Sequence, residues 1–195
     1  MKITKNYLYK IKKNLQFSRV KKINFLVELL FEVWKKKRRI FLCGNGGSAG
    51  NAIHIANDFL YGVGISNGIV FDVEALPSNS AVLTCLANDI GYKNIFSKQL
   101  LAKGNKDDLL IVLSGSGNST NIIEAIKIAN KKEMKIFGIV GYDGGLVKKI
   151  LKQNNCLHFP INDMQISEDL QLIMLHICMQ IISKKKFNKI YKYLT

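Results

Sequence analysis

From residue 39 the chain alternates short apolar runs with longer stretches in which apolar positions recur every three or four residues. The runs are "RIFLC" (39–43), "IVFDVEAL" (69–76), "DLLIVLS" (108–114), "MKIFGIV" (134–140) and "CLHFP" (156–160). They show little alternation of apolar and polar positions, which predicts strands buried on both faces. The spacing between them predicts helices over 48–62, 79–88, 92–103, 118–132, 144–152 and about 164–183. Two more helices are predicted upstream, over 3–17 and 20–37. In the second, Ile23, Leu26, Val27, Leu30, Phe31 and Trp34 form one wide apolar face. Strands alternating with helices imply an α/β fold, a three-layer α/β/α sandwich around a five-stranded parallel sheet with N-terminal helices. Residues 1–37 read as a helical hairpin available for oligomerisation, and 38–195 as the α/β domain. In such sheets ligands bind beyond the carboxyl ends of the strands, at a switch point in strand order.

Composition narrows the picture. A chain of 195 residues, 48% apolar and with two prolines, suits one domain with a sizeable core. No apolar run reaches the roughly 18–20 residues needed to span a bilayer. "MKITKNYLYKIKKN" carries charges every few residues and lacks the apolar core of a signal peptide, so a cytoplasmic location is expected. Cys43, Cys85, Cys156 and Cys178 form no C-x-x-C pair and sit in apolar contexts, which reads them as small core hydrophobes. The formal net charge is +15, mostly lysine and concentrated towards the ends. Without a helix-turn-helix or ribonucleoprotein motif, that charge reads as solvated surface and no nucleic-acid partner is expected.

Two turns carry candidate chemistry. "LSGSGNSTN" (113–121) directly follows the third predicted strand. Gly115 and Gly117 let the backbone approach a ligand closely. Ser114, Ser116 and Ser119 offer hydroxyls, and Asn118 or Ser119 is placed to cap the next helix, whose unpaired N–H groups attract an anion. These features suit a phosphate cradle without a lysine, and equally an ordinary capped loop. No G-K-[ST] follows, so it is not a Walker loop. "CGNGGS" (43–48) is the same device after the first strand. Asn88 and Asp89, in "CLANDIGY", can bond a polyhydroxylated ligand or simply close a helix. His54 and Asp58 stand at i and i+4 on one helical face. That spacing suits two ligands to one ion, a base beside its partner, or plain packing.

Taken together, "CGNGGS", "HIAND", "ANDIGY", "LSGSGNS" and "EDLQLIMLH" resemble the sugar isomerase (SIS) domain family, and within it the sedoheptulose-7-phosphate (phosphoheptose) isomerases. That family's pattern has C-G-N-G-G-S, H-x-x-x-E, G-N-D-x-G-[FY], S-T-S-G-N-S, and a helix with Gln and, eight residues on, His. The resemblance spans nearly the whole chain. It implies the SIS fold and a cytoplasmic homotetramer with sites between subunits. It also implies interconversion of a ketose and an aldose phosphate, on the way to a lipopolysaccharide, capsule or other glycan precursor. By position, Asn45, Gly46, Gly47 and Ser48 would meet the substrate, with Asn88 and Asp89. Ser114, Gly115, Ser116 and Ser119 would hold the phosphate. His54, Asp58, Glu168 and His176 would occupy the metal positions, where such enzymes can bind zinc, Asp58 and His176 would be catalytic, and Glu168 would also meet the substrate.

Three departures stand out. Asp58 replaces a glutamate, Glu168 a glutamine, and Gly115 a threonine. Glu168 and His176, eight residues apart, are separated by about 12 Å of rise on a regular helix. A shared ion would therefore need an irregular helix start or two subunits. His158 matches no family site and reads as structural. Two other readings remain: a non-catalytic SIS protein binding the DnaA replication initiator, and a sugar-phosphate sensor without turnover.

Overall fold

The five apolar runs become β1 (Arg39–Cys43), β2 (Asp72–Ala75), β3 (Leu109–Ser114), β4 (Lys135–Val140) and β5 (Cys156–His158), all parallel and ordered β2-β1-β3-β4-β5. The structure is a computed structural model that describes residues 1–16, 19–62, 70–151 and 153–190. Successive side chains leave a strand on opposite faces, so each run feeds two cores. Ile40 and Leu42 join Leu109, Ile111, Leu113, Phe137 and Ile139 on one side. Phe41 and Cys43 join Leu110, Val112, Ile136 and Val140 on the other.

The first core is closed by α2 (Val20–Lys35), α3 (Gly47–Asn57) and α8 (Met164–Ile190). Leu26, Val27, Leu30 and Val33 of α2 are fully buried there. Burying each such side chain stabilises the fold by about 1.5–3 kcal/mol. The second core is closed by α5 (Ser97–Lys103), α6 (Thr120–Lys131) and α7 (Gly145–Ile150). By contrast, α4 (Ser80–Ile90) buries no residue fully. The first helix, α1 (Lys2–Asn14), rides on the start of α8. Tyr7 donates to Asp169 at 2.5 Å and Lys10 to Asp163 at 2.7 Å. The bond to Asp169 pushes the Tyr7 hydroxyl up to about 12.

Several elements differ from the sequence reading. The helix expected over 48–62 stops at Asn57 and widens into a π-helical turn, Asp58–Gly62. That turn carries Phe59 into the core, 5.3 Å from the ring of Phe71. The helix expected over 92–103 is interrupted: a 3-10 turn, Tyr92–Asn94, precedes α5, and the chain bends to bury Ile95 and Phe96 together. The last helix runs to Ile190, since lysine and asparagine can continue a helix after its apolar face ends. The predicted elements over 3–17, 69–76 and 144–152 each include a residue outside the described ones (17, 69 and 152). Three cysteines are buried, but Cys85 is exposed on α4, its thiol directed at Asp89 Oδ2 at 3.4 Å. Its apolar neighbours along the sequence lie on the other side of that helix. His158, read as structural, has its Nε2 2.9 Å from the Tyr142 carbonyl.

Candidate active site

The two glycine-serine turns leave adjacent strands, β1 and β3, at their carboxyl ends. From β1 the chain moves to β2 on one side, and from β3 to β4 on the other. The turns therefore flank the switch-point crevice where an α/β sheet binds ligands. They are tied together by their side chains. The amides of Asn45 and Asn121 bond each other reciprocally at 2.9 and 2.8 Å, and Tyr92 donates to Asn45 Oδ1 at 2.9 Å. Neither Asn121 nor Tyr92 stood out as a site residue in the sequence. An asparagine directly before the first apolar pair of a helix start, in "NSTNII", was the available signal.

The second turn is shaped from within. Ser114 Oγ accepts from the Gly117 N–H at 3.0 Å, and Ser116 Oγ from the Asn118 N–H at 3.2 Å. Gly117 has φ +68°, and a Cβ there would run into the Gly144 carbonyl. Asn118 does not cap α6: its Oδ1 accepts from the Leu146 N–H at 2.9 Å, fastening the turn to α7 instead. Ser119 is the N-cap of α6, and its hydroxyl makes no capping bond. The first N–H groups of α6 lack intrahelical partners, so hydroxyls and amide donors meet at one helix start. At Gly115 a Cβ would meet the thioether of Met164. Met164 thus fills the space that a threonine side chain would need.

Along the first core, α3 and α8 run side by side in the same direction, and their contacts advance in step. Gly47 faces the Glu168 carboxylate so closely that a Cβ at Gly47 would collide with it. One step on, Asn51 Nδ2 donates to the Glu168 carbonyl at 2.9 Å and to Gln171 Oε1 at 3.0 Å, and Gln171 Nε2 donates to Ser48 Oγ at 3.0 Å. Ser48, Asn51 and Gln171 are all buried. Ser48 is therefore engaged inside the protein, and Gln171 is a third residue the sequence reading missed.

At the far end of this seam His54, Asp58 and His176 converge. His54 Nε2 and His176 Nε2 are 3.1 Å apart, and both face Asp58 Oδ2, at 3.3 and 3.4 Å. His176 is not a core histidine: its side chain keeps 41% of its exposure, and that of His54 keeps 50%. Each Nε2 carries at most one proton and the carboxylate carries none. At most two of the three contacts can then be hydrogen bonds, and the third sets lone pair against lone pair or proton against proton. A cation among them satisfies all three. A tetrahedral zinc holds nitrogen and oxygen ligands at about 2.0–2.2 Å, which spaces neighbouring ligand atoms about 3.3 Å apart. The spacing and the donor set both fit zinc. Asp58 and His176 also line a cavity of about 430 Å³.

Glu168 does not join this trio. α8 is continuous from Met164, so the eight-residue step from Glu168 to His176 keeps its helical rise. Asn88 and Asp89 close α4, where Asn88 Nδ2 donates to Asp89 Oδ1 at 2.9 Å. Bonds from Asn88 and Cys85 hold the Asp89 carboxyl below the usual carboxylate range.

Residues 5–141 match the family model described as "SIS domain". The chain belongs to the SIS domain family. The phosphoheptose isomerase of Clostridium acetobutylicum is 36% identical over 178 residues, covering 87% of this chain and 85% of that protein. The phosphoheptose isomerase of Helicobacter pylori is 34% identical over 158 residues, 81% of each chain. Among solved structures, the phosphoheptose isomerase of Neisseria gonorrhoeae superposes with a TM-score of 0.85 at 28% identity, covering 93% of this chain and 95% of that one. The fold is the SIS three-layer sandwich expected from the sequence. The residues at the crevice are those by which the sequence resembled the isomerases of this family.

Proposed function

We propose that the chain is an aldose–ketose isomerase of the phosphoheptose type, converting sedoheptulose 7-phosphate to D-glycero-D-manno-heptose 7-phosphate. The observation that carries this is the convergence of His54, Asp58 and His176 in the same SIS scaffold as the crevice cradle. A pure scaffold or a sugar-phosphate sensor has no need of three such groups set against one another. Isomerisation moves a proton between two adjacent carbons through an enediol and needs a base, a positioned phosphate and a stabilised oxyanion. Asp58 is the base, and His176 moves the proton between the two oxygens, each through its carboxylate oxygen or ring nitrogen that is not turned into the trio. Ser114, Gly115, Ser116 and Ser119 hold the phosphate, and Asn45, Gly46 and Gly47 line the reacting end. Ser48 sets the first turn from below through Gln171. Asn88, Asp89 and Glu168 bond sugar hydroxyls. His54, Asp58 and His176 hold zinc, which when bound supplies Lewis-acid polarisation of the carbonyl.

Glu168, and with it the turn Asn45 to Gly47 that it packs against, reaches the trio only from another subunit, because a straight α8 keeps Glu168 about 12 Å from His176 in its own chain. This reading goes with a homotetramer whose subunits meet through α1, where Ile3 and Leu8 are exposed, and the unburied α4. Among the described residues no helix is long and apolar enough to cross a membrane. A cytoplasmic role in precursor supply for lipopolysaccharide or capsule suits this activity.

Purified protein incubated with sedoheptulose 7-phosphate is expected to yield the aldose phosphate. Its absence from product analysis sinks the assignment. Metal analysis of the same sample is expected to find about one zinc per chain, and full activity in metal-free protein removes zinc from the site. Analytical ultracentrifugation is expected to return four copies, and a monomer would remove the shared site.

A further inference from the structure

Asn45 is held by more bonds than a ligand-binding side chain at a glycine turn needs. Its Oδ1 accepts from Asn121 Nδ2 at 2.8 Å and from the Tyr92 hydroxyl at 2.9 Å, and its Nδ2 donates to Asn121 Oδ1 at 2.9 Å. An amide carbonyl has two lone pairs and an amide nitrogen two protons. Both lone pairs are taken, and one proton is left. Asn45 can therefore offer a ligand a hydrogen bond but cannot accept one. The two holding residues come from different elements. Asn121 is 1% exposed in the first turn of α6, and Tyr92, 58% exposed, stands in the 3-10 turn after α4. A reciprocal amide pair with a third bond at its carbonyl resists rotation, so the remaining N–H has a fixed direction.

Resting on the isomerase reading above, we propose that Asn121 and Tyr92 are positioning residues that lock Asn45 as a one-way donor to the substrate oxygen that gains negative charge. When the base removes the carbon-bound proton, the electron pair enters the carbon–carbon bond and the carbonyl electrons move to that oxygen. The Asn45 N–H donates a hydrogen bond to it and transfers no proton. A fixed donor needs no reorganisation as the charge appears, so it favours the transition state over the ground state. The phosphate cradle, not Asn45, then dominates ground-state affinity.

The test is a mutant cycle on the full-length protein with sedoheptulose 7-phosphate. Asn45→Ala is expected to lower kcat about 100-fold, the scale of a lost oxyanion donor. Asn121→Ala is expected to lower kcat by about tenfold or more, and Tyr92→Phe by about threefold to tenfold, each with KM within about twofold. In the Asn45→Ala background neither change lowers kcat further, because both act through Asn45. Multiplicative losses there, or losses in KM alone, overturn the proposal. Asn121 is buried, so Asn121→Ala can fail to fold. Tyr92→Phe removes one hydroxyl from an exposed ring, and its cycle then decides the matter.

A second arm does not need turnover. A phosphorylated sugar hydroxamate mimics the planar enediolate, and the reduced sugar-alcohol phosphate carries no such oxygen. Calorimetry is expected to show tighter binding of the hydroxamate, with Tyr92→Phe narrowing the difference and leaving affinity for the alcohol unchanged. Equal affinities in the parent protein overturn the positioning role. A parent that discriminates between the two without turning over the heptose overturns the isomerase reading and keeps the positioned donor.

Discussion

The two ends of the α3–α8 seam use polar residues in opposite ways. Near its start, Ser48, Asn51 and Gln171 are buried, and each donor meets an acceptor. At its far end, His54, Asp58 and His176 are part-exposed and crowd three groups that cannot satisfy one another. Complementary buried amides hold helices together, since an unpaired buried polar group costs about 1–3 kcal/mol. Groups that cannot all pair with one another do little for folding, and their convergence is what a bound cation would require. One seam thus carries a fastening and a site, told apart by whether donors and acceptors match.

Two substitutions should cross over if this contrast is right. Asp58→Asn is expected to lower kcat by about 100- to 10,000-fold, the range for a lost general base. It should leave the thermal midpoint and the oligomer unchanged, because the cluster it relieves was not stabilising. Normal turnover removes Asp58 from the chemistry, and a collapse of the midpoint makes the trio a fastening after all. Gln171→Leu is expected to do the reverse. It strands Asn51 and Ser48, costs about 1–3 kcal/mol of stability, and leaves kcat within a few-fold. Denaturant unfolding with steady-state rates on the same samples reads both quantities.

Much of this contrast was legible along the chain and part of it was not. The five strands were visible because runs buried on both faces are apolar throughout, and both turns because glycine and serine punctuate their ends. His54 and Asp58 were visible as an i, i+4 pair. Their meeting with His176 followed only from the family resemblance and not from spacing, since it depends on how two helices 122 residues apart lie together. The same applies to Gln171, which reads as an ordinary polar residue of an amphipathic helix until Ser48 and Asn51 are placed opposite it. The π-helical turn at Asp58 was hidden because it keeps the i, i+4 neighbour in reach while rotating the residues after it, Phe59 among them, onto a new face. Cys85 was misjudged because apolar neighbours in sequence do not bury a residue on a helix whose one side faces solvent.

The cradle offers a milder contrast with the trio: it should set affinity where the trio sets rate. Ser116→Ala and Ser119→Ala are each expected to raise KM for the phosphorylated substrate by about tenfold, the scale of a hydrogen bond to a charged group, with kcat little changed. Unchanged KM in both variants would move the phosphate elsewhere. A fall in kcat alone would mean that the cradle takes part in the transition state and that binding and chemistry are not divided between the two regions.

The smallest effect probes why glycine stands at 115. The backbone there does not require it, since Gly115 is not among the positive-φ glycines. The obstacle is Met164, whose thioether occupies the space of a Cβ. Gly115→Thr alone forces a flexible side chain aside and should change KM by less than about twofold, the new hydroxyl being offset by the displaced methionine. Met164→Ala alone leaves a gap at a part-exposed position and should also have little effect. Together they should lower KM by about threefold, because the hydroxyl can then reach the phosphate without displacing anything, and residues in contact are not additive. Additive effects in this cycle would mean that Met164 and Gly115 are independent and that the glycine answers to something other than the thioether above it.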